Sequence, residues 1–221
     1  MQDIPAQTTY WDRVAYDKRF SHPLRVEWLE QYLENPQARI LDYGCGYGRT
    51  LADLSHAGYT NSFGVDFSEA MLTRAMFEKP GERKLIRNDG RYLSFKSESF
   101  DAVFLFAVLT CMPKDSEQRL LLSETNRVLR PGGLIYVSDL LVNDDRRNLE
   151  RYQRDAETYG CYGVFKLPEG VVVRHHTKEW IEEVTNQFER LEYEPFEVNT
   201  MNGNRSAAFQ YLGRKPAHTL M

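Results

Sequence analysis

The chain has little of what marks a secreted, membrane-bound or nucleic-acid-binding protein. Its 221 residues hold only three cysteines, Cys45, Cys111 and Cys161. An odd number without metal-like pairing indicates neither a disulfide framework nor a zinc site, and free thiols in a reducing compartment are expected. No apolar run is long enough to cross a bilayer, and the N-terminal stretch MQDIPAQTTYWDRVAYDKRF lacks the charged-then-apolar plan of a signal peptide. A cytoplasmic protein is therefore expected. A basic excess is also missing: the formal net charge of −4 argues against a nucleic-acid partner, though it leaves room for a local basic patch. What the chain does have is an apolar share of 42% with thirteen tyrosines and twelve phenylalanines, enough to build a core and too apolar for a disordered chain.

The stretch Ile40 to Leu51, ILDYGCGYGRTL, reads as an apolar strand ending at Leu41, an acid at Asp42, glycines at 44, 46 and 48, and the start of a helix. Glycines suit a tight turn whose bare backbone lets a ligand lie against it. The spacing is D-x-G-x-G-x-G rather than the G-x-G-x-x-G of dinucleotide enzymes, and a carboxylate beside the turn would repel a pyrophosphate yet suit an ammonium group. A helix over Thr50 to Ala57 stops at Gly58, and a strand from Ser62 to Val65 ends in Asp66, where a strand-end acid reaches ribose hydroxyls. Phe67 is placed to stack on a base, and Ser68 reads as the N-cap of a helix over Glu69 to Phe77, with Met71, Leu72 and Ala75 inward. A short strand, Lys84 to Arg87, precedes the turn Asn88-Asp89-Gly90. FDAVFLFAVL, Phe100 to Leu109, has the continuous apolar run of a parallel strand covered on both faces. Pro113 and Asp115 open a helix that buries Leu120, Leu121, Thr125, Val128 and Leu129; LRPGG ends it before a strand from Leu134 to Leu141.

These segments, in this order, resemble the class I, Rossmann-like methyltransferases that use S-adenosylmethionine, over roughly Arg39 to Val142. The resemblance implies an α/β fold: a seven-stranded, mostly parallel sheet with helices on both faces and an antiparallel C-terminal hairpin. It implies S-adenosylmethionine as cofactor, held by Asp42, Gly44, Cys45, Gly46 and Gly48, with Asp66 and Phe67 at the nucleoside. Asp89 and Gly90 match the family's adenine contacts, Phe106 and Ala107 fall beside the methionine moiety, and Leu109 to Met112 fall at the mouth of the acceptor pocket.

The flanks carry less specific signals. Thr8 to Phe20 has helical spacing, and Tyr10 and Trp11 either cover the core or close over the cofactor's sulfonium, which aromatic faces attract. His22-Pro23 opens a second helix that runs through Glu34. Beyond Val142, the charged stretch Asn143 to Thr158 reads as a solvated helix. Tyr159 to Val173 reads as an acceptor-site lid, lined by Tyr152, Tyr159, Tyr162 and Phe165, or as an external connector. His175 and His176 are adjacent and lack a carboxylate cluster of ligand spacing, so no metal is expected. One of them is a candidate catalytic general base, the alternative being structural hydrogen bonding. Thr177 caps a helix containing Trp180, Ile181 and Val184, and Asn202-Gly203 joins two strands, Arg190 to Thr200 and Arg205 to Arg214, as a hairpin.

A single domain is expected: an N-terminal helical cap (1–35), a cofactor-binding core (36–142), an acceptor-site lid (143–176) and a terminal helix with hairpin (177–221). The expected activity is methyl transfer to an oxygen or nitrogen atom of a small organic molecule, without membrane or nucleic-acid partners and with the oligomeric state open. The alternatives are an RNA or protein methyltransferase, whose support is Arg146, Arg147, Arg151 and Arg154, a non-catalytic cofactor-binding protein on the same fold, and a nicotinamide oxidoreductase.

Overall fold

The structure, a computed structural model, describes residues 4–78, 84–88 and 92–217. In chain order, α1 (Ile4–Val14) and α2 (Val26–Tyr32) precede an alternation of β1 (Ile40–Tyr43), α3 (Arg49–His56), β2 (Ser62–Asp66), α4 (Glu69–Glu78), β3 (Lys84–Arg87) and β4 (Phe100–Phe106). Then come α5 (Asp115–Val128), β5 (Leu129–Leu140), α6 (Arg146–Tyr159), the short strands β6 (Val164–Lys166) and β7 (Val172–Arg174), α7 (Lys178–Val184), β8 (Glu189–Asn199) and β9 (Arg205–Arg214). The main sheet has seven strands in the order β3-β2-β1-β4-β5-β9-β8. The first five are mutually parallel, and β9 runs antiparallel to both β5 and β8. The order reverses between β1 and β4, both of which leave the sheet at the same edge, and that reversal opens a crevice at their carboxyl ends.

Strand alternation divides the core into two layers. In β4, Ala102, Phe104 and Phe106 join Trp28, Leu29 and Tyr136 on one face. Val103 and Leu105 join Leu121, Leu122 and Trp180 on the other. Because successive side chains in a strand point to opposite faces, a run such as AVFLF is apolar throughout only when both faces are covered. A third cluster stands apart from the sheet: Tyr10 and Val14 of α1 pack with Tyr152, Phe165, Val171 and Val173 of the segment after β5. The N-terminal helix and that segment thus form one cap.

Four local expectations are corrected. The second helix begins at Val26 rather than at His22, because the backbone of residues 22–25 is spent on tertiary partners: Gln210 donates to the Pro23 carbonyl at 2.5 Å and Arg25 N donates to the Tyr136 hydroxyl at 3.2 Å. LRPGG is already strand, since Gly132 and Gly133 exchange backbone hydrogen bonds with Lys215 at 2.9 and 2.8 Å. β4 stops at Phe106 because Ala107 takes φ +55° and the chain coils into a 3-10 turn over Leu109–Cys111. Leu120 is exposed, and the buried stripe of α5 runs through Gln118, Leu121, Leu122, Thr125 and Val128, with Leu122 in the place expected for Leu120.

Phe104 is fully buried between Trp28, Phe106 and Tyr136. Phe104→Ala is expected to lower unfolding free energy by about 3–5 kcal/mol, read by urea denaturation; a loss below about 1 kcal/mol would mean that this face of the sheet is not packed as described.

Candidate active site

The glycine loop leaves β1 with three residues in conformations that side chains resist: Gly44 at φ +72°, Gly46 at φ +51° and Gly48 at φ +76°. A Cβ on Gly44 would lie 2.8 Å from Val108 Cγ2, and one on Gly46 would lie 2.5 Å from Phe20 Cε2. The loop is pinned to β2, since Gly44 N and Cys45 N both donate to the Val65 carbonyl, at 2.8 and 3.0 Å. Asp66 completes the fastening. Its Oδ2 accepts from Gly46 N and its Oδ1 from Ser68 N, each at 2.8 Å. Burial raises the Asp66 pKa, and the N–H groups of Ser68, Gly46 and Phe67 oppose that shift. Ser68 caps α4 through Met71 N at 3.2 Å and donates its hydroxyl to Asp12 Oδ1 at 2.6 Å. Asp12 therefore docks α1 on the start of α4.

Asp42 lies beneath this loop, 2% exposed. Its Oδ2 is enclosed with no hydrogen-bond partner among the described residues. Burial pushes its pKa up to about 8, against the nearby Arg49 guanidinium. An enclosed carboxylate oxygen without a donor is a costly arrangement that a cation above the loop would relieve.

Beyond β4, Asp139 holds the next turn. It is fully buried and accepts from Leu140 N at 2.8 Å and Thr110 N at 3.1 Å, with the amides of Leu109 and Val108 also directed at it. Burial nevertheless raises its pKa to about 7. The turn so fixed presents Ala107, Thr110 and Cys111 to the interior.

A cavity of about 1790 Å³ connects these parts. At one end it is lined by Gly44, Gly46, Asp66, Phe67 and Met71, and at the other by Thr110, Phe165, Val173 and His175. Trp11, Phe106 and Ala107 also line it. Trp11, Phe20 and Tyr47 form a row of rings, with centroids 6.0 and 5.0 Å apart, across the glycine loop. Of the remaining sequence candidates, Tyr10 turns into the cap cluster, Cys45 packs beneath the loop and Gly48 begins α3. Asp89 and Gly90 lie outside the described residues.

The two histidines separate. His176 is fully enclosed: Gln118 Nε2 donates to its Nε2 at 2.9 Å, and its Nδ1 donates to the Leu140 carbonyl at 3.1 Å. It reaches no cavity wall, so the structure removes it as a general base. His175 does line the cavity, with its Nδ1 2.6 Å from the Tyr152 hydroxyl and 3.3 Å from Asn143 Nδ2. The Tyr152 oxygen faces donors, Asn143 N at 3.3 Å and the Arg151 guanidinium. Its proton therefore goes to Nδ1, and the neutral ring carries its own proton on Nε2. Burial, with Arg151 nearby, lowers the His175 pKa well below the usual histidine range. Sequence reasoning treated His22 only as the start of a helix, yet it lines the same cavity, bonded through Nδ1 to Ser138 Oγ at 2.8 Å. Burial drops its pKa to about 4. A lone His-Pro dipeptide gives no signal of this, because the partner is 116 residues away.

Residues 41–137 match the family model described as a methyltransferase domain. The structure is similar to that of a SAM-dependent methyltransferase from Methanosarcina mazei, 25% identical with a TM-score of 0.80, over 86% of this chain and 98% of that one. Residues 41–137 are a methyltransferase domain, and the chain is similar in fold to the class I S-adenosylmethionine-dependent methyltransferases. A sterol 24-C-methyltransferase from Gibberella zeae is 29% identical over 181 residues, which is 75% of this chain and 46% of that protein. A 2-methyl-6-phytyl-1,4-hydroquinone methyltransferase from Synechocystis sp. is 32% identical over 114 residues, 51% of this chain and 35% of that protein. The chain thus spans less than half the length of these two curated relatives.

The cofactor of this methyltransferase family, S-adenosylmethionine, fits the residues present. The loop backbone at Gly44 and Gly46 is bare and opens on the cavity, Asp66 keeps acceptor lone pairs beyond its two amide bonds, and the Asp42 oxygen enclosed beneath the loop lacks a donor. Asp66→Ala is expected to weaken S-adenosylhomocysteine binding by about 1–3 kcal/mol, measured by calorimetry, and unchanged affinity would contradict the assignment. Asp42 gives a pH prediction. Because its folded pKa is raised from 3.8 to about 8, the cofactor-free wild type loses stability as pH climbs through that window. Asp42→Asn should gain on wild type in melting temperature between those limits and show no difference in acid; a constant offset at all pH values would refute the shift.

Proposed function

We propose that this methyltransferase acts on a small organic molecule, moving the methyl group to an oxygen or nitrogen atom. The observation that carries the reading is the continuity of one cavity from Asp66, at the glycine loop, to His175, beyond β5. One end suits a nucleoside and the other an acceptor, with the wall of Phe106 and Ala107 between them. The bound cofactor supplies an activated methyl group. The chain's own part is to hold two partners in line and exclude water, which explains the lack of a nucleophile or metal motif. The glycine loop and Asp66 fix the nucleoside, Phe67 and Met71 bracket its base, and the Trp11-Phe20-Tyr47 row offers π faces to a cation. His175 enters as a hydrogen-bond donor through Nε2 and not as a base, because Tyr152 and Asn143 both direct hydrogens at Nδ1.

A small acceptor is favoured over RNA by the arginines of α6. Arg146 pairs with Glu150 at 2.6 Å, Arg147 with Asp145 at 3.8 Å and Arg154 with Asp155 at 2.7 Å, so three of its four arginines are compensated and Arg151 alone is too little for a basic face. The test is transfer of isotope-labelled methyl groups from S-adenosylmethionine to a panel of hydroxyl- and amine-bearing small molecules, run beside bulk RNA and unfolded protein. Label in small molecules alone is expected. Label only in RNA or protein would overturn the reading, and cofactor binding without transfer to any arm would favour a non-catalytic protein.

A further inference from the structure

Most ionised side chains along the acceptor half of the cavity lie in pairs; among the described residues the exposed Lys166 and the half-buried Arg151 do not. Glu117 lies 4.0 Å from Lys114, Glu150 2.6 Å from Arg146, Asp155 2.7 Å from Arg154 and Glu169 3.9 Å from Lys18. Arg151 also lines the cavity, and among the described residues no carboxylate lies within 4.0 Å of its guanidinium. Its Nε is buried without a hydrogen-bond partner. The guanidinium carbon sits 3.7 Å from the centroid of the Phe165 ring and 5.9 Å from that of Tyr152. Stacking on Phe165 fixes the plane of the fork, so its donors are already oriented. Asp145 acts on it only from beyond 4.0 Å, so much of the cost of holding this cation partly out of water falls on the folded protein until an anion arrives.

His175 adds a second donor. Its Nε2–H is the free end of a ring whose Nδ1 is committed to Tyr152, and Arg151 lies against the same Tyr152 hydroxyl. The walls nearby, Phe165, Leu167, Val173 and Met112, are apolar. An electropositive corner with two donors, set in an apolar chamber, selects an amphiphilic anion: a carboxylate matches the planar fork of an arginine, and its hydrocarbon body matches the walls.

We propose that the methyl acceptor is an organic carboxylate with an apolar body, and that Arg151 receives the carboxylate with His175 Nε2–H as its second donor. This rests on the methyltransferase reading of the cavity and narrows it to a substrate class. Arg151 is here a specificity residue. The cofactor lies at the other end of the cavity, so its affinity should not depend on Arg151.

The test titrates the full chain first with S-adenosylhomocysteine and then, saturated with it, with decanoate and 2-naphthoate and with their methyl esters. At least one acid is expected to bind about tenfold or more tightly than its ester, the size of a charge-assisted hydrogen bond. Arg151→Gln should erase that preference while leaving S-adenosylhomocysteine affinity within about twofold. Arg151→Lys should retain part of it, and serves as the charged control should the glutamine variant not fold. Equal binding of acids and esters, binding of neither, or a preference that survives in Arg151→Gln would overturn the carboxylate site and leave the cofactor site standing. A large loss of S-adenosylhomocysteine affinity in the variant would reassign Arg151 to the cofactor and overturn the proposal. Failure of the wild type to bind S-adenosylhomocysteine would remove the methyltransferase reading itself.

Discussion

The carboxylate of Asp66 accepts one amide from the glycine loop and one from the start of α4, and the geometry of the cofactor end follows from that pair of bonds. A loop with positive φ at Gly44 and Gly46 has many conformations open to it and needs external fastening to keep one. Asp66 supplies it from β2, the neighbour of β1 in the sheet. Charge-assisted bonds of this kind are among the stronger hydrogen bonds in proteins. They also tie the cofactor site to α1, because Ser68, whose amide Asp66 binds, gives its hydroxyl to Asp12.

The far end of the cavity is built on a comparable device at the end of β5. Asp139 draws the amides that follow β4 around one buried carboxylate, and His176 and Gln118 lock the surrounding layer, with Gln118 Oε1 accepting from Trp180 Nε1 at 2.7 Å. Two carboxylates placed at strand ends thus order two irregular loops. Neither loop has a regular ladder of its own, and the acids satisfy N–H groups that would otherwise be stranded.

Much of this was legible in the chain. Alternate glycines after an apolar run, strand-end acids and an Asn-Gly turn each act within a few residues of themselves, so most strands and the glycine loop could be read from local chemistry, while the seven-stranded arrangement followed from the family resemblance. The rest depends on distant partners. His22 acquires its place from Ser138, Asp12 from Ser68, and the cap cluster from the meeting of Tyr10 with Phe165. The role of His175 turned on which atoms share Tyr152, a matter of three segments converging. The helix starting at Val26 was misplaced for the same reason, since the competing bonds come from Tyr136 and Gln210.

The cap has one further consequence. α1 shares a single apolar cluster with the segment after β5, and Gln7 ties it to that end of the cavity by donating to the Cys111 carbonyl at 3.2 Å and the Val172 carbonyl at 3.5 Å. A roof made of both pieces has no separate door for each guest. Loosening α1 therefore also loosens the wall at Phe165 and Val173, so a change in either piece is felt along the whole cavity.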